Sequence, residues 1–324
     1  MSTGFRILIT DRAWPNCEIE RELFSQIGAE IIEAPATDEA TLSSLAADVD
    51  AILTCWAEVT PAVIQASPNC RVISRFGIGL DNICLETATS RQIPVTYVPD
   101  YCLEEVAEHT LALLFSLGRK IAFYHQQAKQ NIYDRQAGPE LRRMSEQTLG
   151  LVGFGRIAQT VFRKAQSLGF TVVAHSLSGN DRGTGCRMVD LEELLRTSDY
   201  VSLHLPLTER SHRMFGADQF QMMKSSAFLI NTSRGGLIDH AALWEAIQEG
   251  ELAGAGLDVF DPEPPDLSDP LFQDERVIVT PHAAFLSRES LVELRRRTCE
   301  QTIQVLQGEK PAHLANPQVW PKSV

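Results

Sequence analysis

The chain has 324 residues and a formal net charge of −13, with 44% hydrophobic and 22% charged residues, ordinary globular values that exclude a disordered or fibrous class. That length exceeds what one hydrophobic core usually spans, so two domains are expected. The acidic balance argues against direct nucleic-acid binding, which relies on basic footprints that displace counterions from phosphates.

The chain opens with one arginine, Arg6, and a short apolar run, Ile7-Leu8-Ile9, far short of a signal-peptide core or a membrane span. Short runs of Val, Ile and Leu then alternate with helix-length intervals. This is the pattern of βαβ units around buried, doubly wound parallel sheets, an α/β fold. Strands are expected at 6–10, 30–32, 51–54, 72–74 and 95–97. Between Leu103 and Gly118 the positions Val106, Thr110, Leu113, Leu114 and Leu117 share one helical face, and Gly118 offers a stop. The polar stretch 124–146 reads as a connector and candidate subunit arm. Further strands are expected at 148–152, 171–174, 200–205, 227–231, 255–259 and 277–280.

The last helix begins near Ser287, presents Leu291, Leu294, Thr298, Ile303 and Leu306 on its apolar face, and ends where Gly308 and Pro311 halt helical continuation. Within it, Arg295-Arg296-Arg297 reads as a solvated face. The seven cysteines (17, 55, 70, 84, 102, 186, 299) are scattered, odd in number and lack a Cys-x-x-Cys pair. They indicate neither a disulfide framework nor a zinc site, and point to a reducing, cytoplasmic compartment. His109 and His125 have no ligand spacing around them, so no metal is expected.

After the strand at 148–152 comes Gly153-Phe154-Gly155-Arg156-Ile157-Ala158, a G-x-G-x-x-A turn opening a helix. Gly153 permits the tight turn, Gly155 lets the backbone approach a pyrophosphate, Ala158 allows close helix–strand packing, and the helix N-terminus offers N–H groups to the anion. A bare glycine match also suits a turn with no ligand; the strand before and helix after make this one informative. The acid expected about 20 residues on, to bind the adenosine ribose, is absent, and Ser176 stands there. Serine removes the repulsion that excludes a 2′-phosphate, and Arg182 lies close by, so both NAD and NADP remain open.

Three further segments sit at expected strand ends, where open α/β sheets place their ligands. They are Asn231-Thr232-Ser233-Arg234-Gly235-Gly236, Leu257-Asp258-Val259-Phe260-Asp261-Pro262-Glu263-Pro264 and Thr280-Pro281-His282-Ala283-Ala284. An arginine, a carboxylate and an imidazole in that order, after the glycine turn, resemble the D-isomer-specific 2-hydroxyacid dehydrogenase family. That family includes D-3-phosphoglycerate dehydrogenases, glyoxylate and hydroxypyruvate reductases and the C-terminal binding protein corepressors. Arg75-Phe76-Gly77-Ile78-Gly79-Leu80-Asp81-Asn82 is similar to its substrate-carboxylate loop, and Val98-Pro99-Asp100 through Val106-Ala107-Glu108 to its hinge. Arg75 and Phe285 look most like the corepressor branch; Ala158 and Ser176 depart from the usual pattern.

The resemblance implies a flavodoxin-like substrate domain of residues 1–99 and 290–324, a Rossmann-type cofactor domain of 100–289 inserted in it, and an active site in the cleft between them. It implies a homodimer with its arm at 117–144. It also implies NAD(P)-dependent interconversion of a small 2-oxo acid and its D-2-hydroxy acid. Arg234 would grip the substrate carboxylate, His282 would act as general acid/base, and Glu263 would orient it. Arg75, Gly77, Ile78, Gly79 and Phe285 would complete the substrate site. Cofactor contacts would come from Ile78, Gly153, Phe154, Gly155, Arg156, Ile157, Ser176, Leu205, Pro206, Ser211, Thr232, Ser233, Arg234, Asp258, His282 and Ala284, with Asp258 accepting from the nicotinamide carboxamide. The alternatives are a dinucleotide-sensing, corepressor-like dimer with little turnover, and an enzyme for a phosphorylated hydroxy acid.

Overall fold

The computed structural model describes residues 4–136, 138 and 140–320. The chain divides into two compact units, parting after Tyr101 and returning to the first unit at Ser287. In the first unit the apolar runs form five parallel strands, β1 (Arg6–Ile9), β2 (Glu30–Glu33), β3 (Ala51–Thr54), β4 (Val72–Arg75) and β5 (Val95–Thr96), ordered β2-β1-β3-β4-β5. Every residue of β3 and β4 is buried, as in strands covered on both faces. Helices α1 (Glu18–Ser25), α2 (Glu39–Ala46), α3 (Pro61–Gln65) and α4 (Leu85–Ser90) connect them. Leu8, Ile52, Ile73 and Val95 pack with Leu42, Val63 and Ile64 into one core.

The C-terminal helix (Arg288–Leu306) belongs to this unit. Ser287 caps it by accepting from the Ser290 N–H at 2.8 Å, and Gly308, at φ +82°, follows its end. The reading of its three arginines as a solvated face is wrong for two of them. Arg295 is 9% exposed, donates to both Glu20 carboxylate oxygens at 2.7 and 2.6 Å, and lies over the Trp14 ring. Arg297 bridges Asp100 and Glu293 at 2.7 and 2.6 Å. The buried face of this helix is wider than its apolar stripe, and a bidentate pair lets a guanidinium occupy the extra width.

The second unit begins with α5 (Leu103–Gly118), whose Val106, Thr110, Leu113, Leu114 and Leu117 are buried, and α6 (Ile121–Lys129), which buries none of its side chains. The connector read at 124–146 thus starts as a helix that lacks an apolar stripe to announce it; residues 137 and 139 of the expected arm lie outside the described residues. There follow β6 (Thr148–Val152), α7 (Arg156–Ser167), β7 (Thr171–His175), β8 (Arg187–Met188), α8 (Leu191–Thr197), β9 (Tyr200–Leu203), α9 (Ala217–Met222), β10 (Phe228–Asn231), α10 (His240–Gln248), β11 (Gly254–Leu257), α11 (Pro270–Gln273) and β12 (Val277–Val279). The two-residue β8 was not expected, because it has no apolar run.

All seven strands are parallel, ordered β12-β11-β10-β9-β6-β7-β8. Leu149, Leu151 and Ile230 pack on α5 and α7, while Val201, Leu203, Leu229 and Leu257 pack on the opposite face with Leu194, Phe220, Leu243 and Ile247. This is the doubly wound arrangement with its switch point between β6 and β9. Parallel strands put all their C-terminal ends on one edge, so the loops after β6, β9, β10, β11 and β12 gather there.

Candidate active site

The turn after β6 bends at Gly153, whose φ is +92°. A Cβ there would lie 2.3 Å from the His204 carbonyl oxygen, so only glycine lets the turn close against the loop after β9. His204 Nε2 lies 2.9 Å from Ser202 Oγ, and burial pushes its imidazole down to about 4, keeping it neutral beside the turn. Gly155 is the N-cap of α7, and a Cβ built on it meets nothing within 4 Å. This open side, facing first-turn N–H groups that have no intrahelical partners, fits a pyrophosphate. Ala158 is fully buried, and Phe154 is 5% exposed and packs edge-on against Phe162, so Phe154 can serve a ligand only through its backbone.

Ser176 directly follows β7, the strand beside β6, with its Oγ 3.4 Å from Ser178 Oγ. The loop beyond it is shaped by Asp181, whose carboxylate accepts the N–H groups of Gly183 and Gly185 and is thereby held below the usual range; Arg182 is exposed there. Beyond Leu205 and Pro206, Ser211 closes its loop by donating to the Pro206 carbonyl at 2.8 Å. Thr232 meets Thr110 of α5, hydroxyl to hydroxyl, at 2.9 Å.

Arg234, Glu263 and His282 are carried by three loops of this unit. Asn231, fully buried, accepts the Ser233 N–H at 3.0 Å and donates to the Arg234 carbonyl at 2.8 Å, while Ser233 donates to the Leu203 carbonyl at 2.7 Å. Next to Arg234, a Cβ on Gly235 would overlap the Phe260 backbone at 1.9 Å. Glycine at 235 is therefore what lets the arginine loop lie on the glutamate loop. Glu263 accepts the Phe260 N–H at 2.8 Å and meets His282 Nδ1 at 2.7 Å. Burial pushes the Glu263 carboxyl up, but the His282 hydrogen bond and charge, the Phe260 N–H and the Arg234 charge outweigh it and hold the group ionised, below its ordinary range.

His282 has φ +51°, a left-handed backbone that costs a non-glycine residue roughly 1–2 kcal/mol. Asp258 supports it: the His282 N–H donates to the Asp258 carbonyl at 2.8 Å, and the Asp258 carboxylate accepts the N–H groups of Ala283 and Ala284 at 2.8 and 2.9 Å and the Thr280 hydroxyl at 2.6 Å. Phe285 stands edge-on to the imidazole, centroids 6.1 Å apart. Asp258 as the organiser of this turn was not foreseen; an acid just past a strand end, before a Thr-Pro-His-Ala-Ala segment, was the available signal.

In the first unit, Arg75 ends β4, 7% exposed, and its Nη1 donates to the Phe76 carbonyl. Its Nε is buried without a protein partner. Gly77, Ile78 and Gly79 follow after Phe76, and a Cβ on Gly77 would lie 2.8 Å from Arg75 Nη1. All seven cysteines are free, and no helix among the described residues is long and apolar enough to cross a membrane.

Residues 111–284 match the family model of the D-isomer specific 2-hydroxyacid dehydrogenase NAD-binding domain. The chain is 36% identical over 294 residues to a glyoxylate reductase from Korarchaeum cryptofilum, covering 89% of this chain and 88% of the relative. It is 33% identical to a D-3-phosphoglycerate dehydrogenase from Methanocaldococcus jannaschii, covering 96% of this chain but only 59% of that longer protein. The NADPH-dependent glyoxylate/hydroxypyruvate reductase from Sinorhizobium meliloti, solved with NADP and malonate, superposes with a TM-score of 0.89 at 25% identity, covering 99% of this chain and all of that one. The corepressor branch is not singled out by these likenesses. With the glycine turn, the parallel sheets and these matches together, the chain belongs to the D-isomer specific 2-hydroxyacid dehydrogenase family, NAD(P)-dependent oxidoreductases of CH–OH donors.

Proposed function

We propose that this protein interconverts a small 2-oxo acid, of the glyoxylate or hydroxypyruvate class, and its D-2-hydroxy acid. The observation that carries the reading is the 2.7 Å contact between His282 Nδ1 and Glu263 Oε2, on loops stacked against the one bearing Arg234. With Nδ1 committed to an ionised carboxylate, the ring is held in one orientation, and proton exchange with the substrate oxygen falls to Nε2. Arg234 pairs its planar fork with the substrate carboxylate and draws electron density from the neighbouring carbonyl. Arg75 and the backbone of Gly77, Ile78 and Gly79 are the further carboxylate contacts that the family resemblance implies, and Phe285 limits the bulk next to His282. The turn at Gly153 to Ile157 would hold the pyrophosphate of a nicotinamide dinucleotide, NAD or NADP, with Ser176 toward the adenosine ribose, and that group would supply the hydride chemistry.

Likeness to a glyoxylate reductase over 88% of its length, against 59% of a D-3-phosphoglycerate dehydrogenase, supports an unphosphorylated substrate. The homodimer rests on the apolar side chains left exposed at 121–141, Ile121, Ile132, Tyr133 and Leu141; light scattering that returned a monomer would remove that part.

Steady-state oxidation of NADH and NADPH with glyoxylate, hydroxypyruvate, pyruvate, longer 2-oxo acids and a phosphorylated acid tests the reading. Turnover is expected with the small acids, and His282→Gln is expected to lower kcat by about 10² to 10⁴ with dinucleotide binding retained. Tight dinucleotide binding with no turnover on any acid would replace the enzyme by a dinucleotide-sensing binding protein.

A further inference from the structure

His109, on α5, has no chemistry written in its sequence neighbourhood, yet its side chain reaches the turn that carries His282. Its Nε2 lies 2.9 Å from Thr280 Oγ1 and 3.5 Å from Asp258 Oδ1. The direction of these contacts follows from what each group can do. A carboxylate only accepts, and Thr280 has one hydroxyl proton, which at 2.6 Å goes to Asp258 Oδ1. Toward His109 the threonine oxygen is therefore the acceptor and Nε2–H the donor. The chain of bonds runs from the His109 imidazole through the Thr280 hydroxyl to the Asp258 carboxylate, and from there to the backbone N–H groups of Ala283 and Ala284 that define the left-handed backbone at His282.

Asp258 is fully buried, so each donor it holds offsets the cost of burying its charge. The Thr280 hydroxyl is a rotor with one correct setting, and His109 sets it. The adjacent Thr110 makes a second tie from the same helix turn, meeting Thr232 two residues before Arg234. Both strand-end loops, the one bearing the arginine and the one bearing the imidazole, are thus referenced to α5, a rigid helix rather than a loop.

We infer that His109 is a positioning residue for the reaction: through Thr280 and Asp258 it holds the His282 turn in the geometry that faces Glu263. This rests on the assignment of His282 as the acid/base group. A displaced imidazole costs rate rather than substrate binding, because misplacement of about 1 Å in a reacting group is worth on the order of 10²-fold.

The test is kinetic and spectroscopic on the full-length protein. His109→Phe is expected to lower kcat at least tenfold, leaving KM for the 2-oxo acid and NADH affinity by fluorescence titration within about twofold. His109→Gln, which keeps an N–H donor on a similar reach, is expected to recover most of the rate. Thr280→Val removes the middle of the chain without loss of volume. It is expected to give a similar drop, and the double variant no more than either single one, since the two act through one chain of bonds. In imidazole 15N spectra of the protein without ligands, the His282 Nδ1 signal should lose its hydrogen-bonded signature in His109→Phe. Wild-type kcat in His109→Phe, or multiplied losses in the double variant, overturns the inference; should His109→Phe not fold, Thr280→Val against His109→Gln decides it. If the wild-type protein reduces no 2-oxo acid, or if His282→Gln retains full activity, the functional reading itself fails; the inference alone fails if His282→Gln is inactive and the His109 and Thr280 variants are not impaired.

Discussion

The two units each carry a Gly-x-Gly loop just past a parallel strand, and the two loops use glycine for different reasons. After β6, Gly153 is required by backbone, since any Cβ would strike the His204 carbonyl across the switch point, while Gly155 is required by nothing in the protein and stands open. After β4, Gly77 has φ +156°, and its missing Cβ also clears space for the Arg75 guanidinium rather than for backbone. The first loop leaves an open side at a helix N-terminus, as the proposed anion site requires, and the second makes room for the Arg75 guanidinium. Identical spacing in a sequence therefore reports opposite electrostatics, and the neighbours of each missing Cβ tell them apart.

That contrast can be broken by adding one methyl group at a time. Gly153→Ala is expected to have the largest effect. Strained φ and a clash with fixed backbone should cost at least about 2 kcal/mol by calorimetry and abolish dinucleotide binding; a stably folded variant that still binds NADH contradicts the assigned role of the turn. Gly155→Ala is next, and dissects the two losses. Its backbone suits alanine, so stability should change by no more than about 0.5 kcal/mol, while dinucleotide affinity falls at least roughly tenfold. Unchanged affinity would mean that no phosphate sits there. Gly77→Ala is the mildest for ligand binding. It strains a backbone at φ +156° and displaces the flexible end of one arginine, so stability should fall by about 1 kcal/mol while KM for the 2-oxo acid rises only about threefold. Combined with Arg75→Met it should add little, and additive losses would separate Gly77 from Arg75.

Much of this molecule was legible because its chemistry is local. The strands of both sheets announce themselves as apolar runs, α5 by the spacing of Val106, Thr110, Leu113, Leu114 and Leu117, and the final helix by Ser287 and Gly308 at its ends. Arg234, Glu263 and His282 could be picked out because each follows an apolar strand. What escaped notice was set by distant partners. Arg295 looked like part of a charged surface run until Glu20, far away in sequence, closed a bidentate pair on it. His109 looked like an incidental helix residue until Thr280 was brought within 2.9 Å. Neither α6 nor β8 has an apolar pattern of its own, so nothing in the local spacing marks them.

From residue order alone come the α/β class, the glycine turn and its anion-binding logic, and the three loops that hold Arg234, Glu263 and His282, because strand, turn and helix signals act over a few residues. Tertiary structure decided how those loops stack, why His282 is held in a left-handed backbone, and which buried charges find partners. Those outcomes depend on contacts between segments many tens of residues apart, where the cost of burying an unpaired charge, rather than local propensity, selects the arrangement.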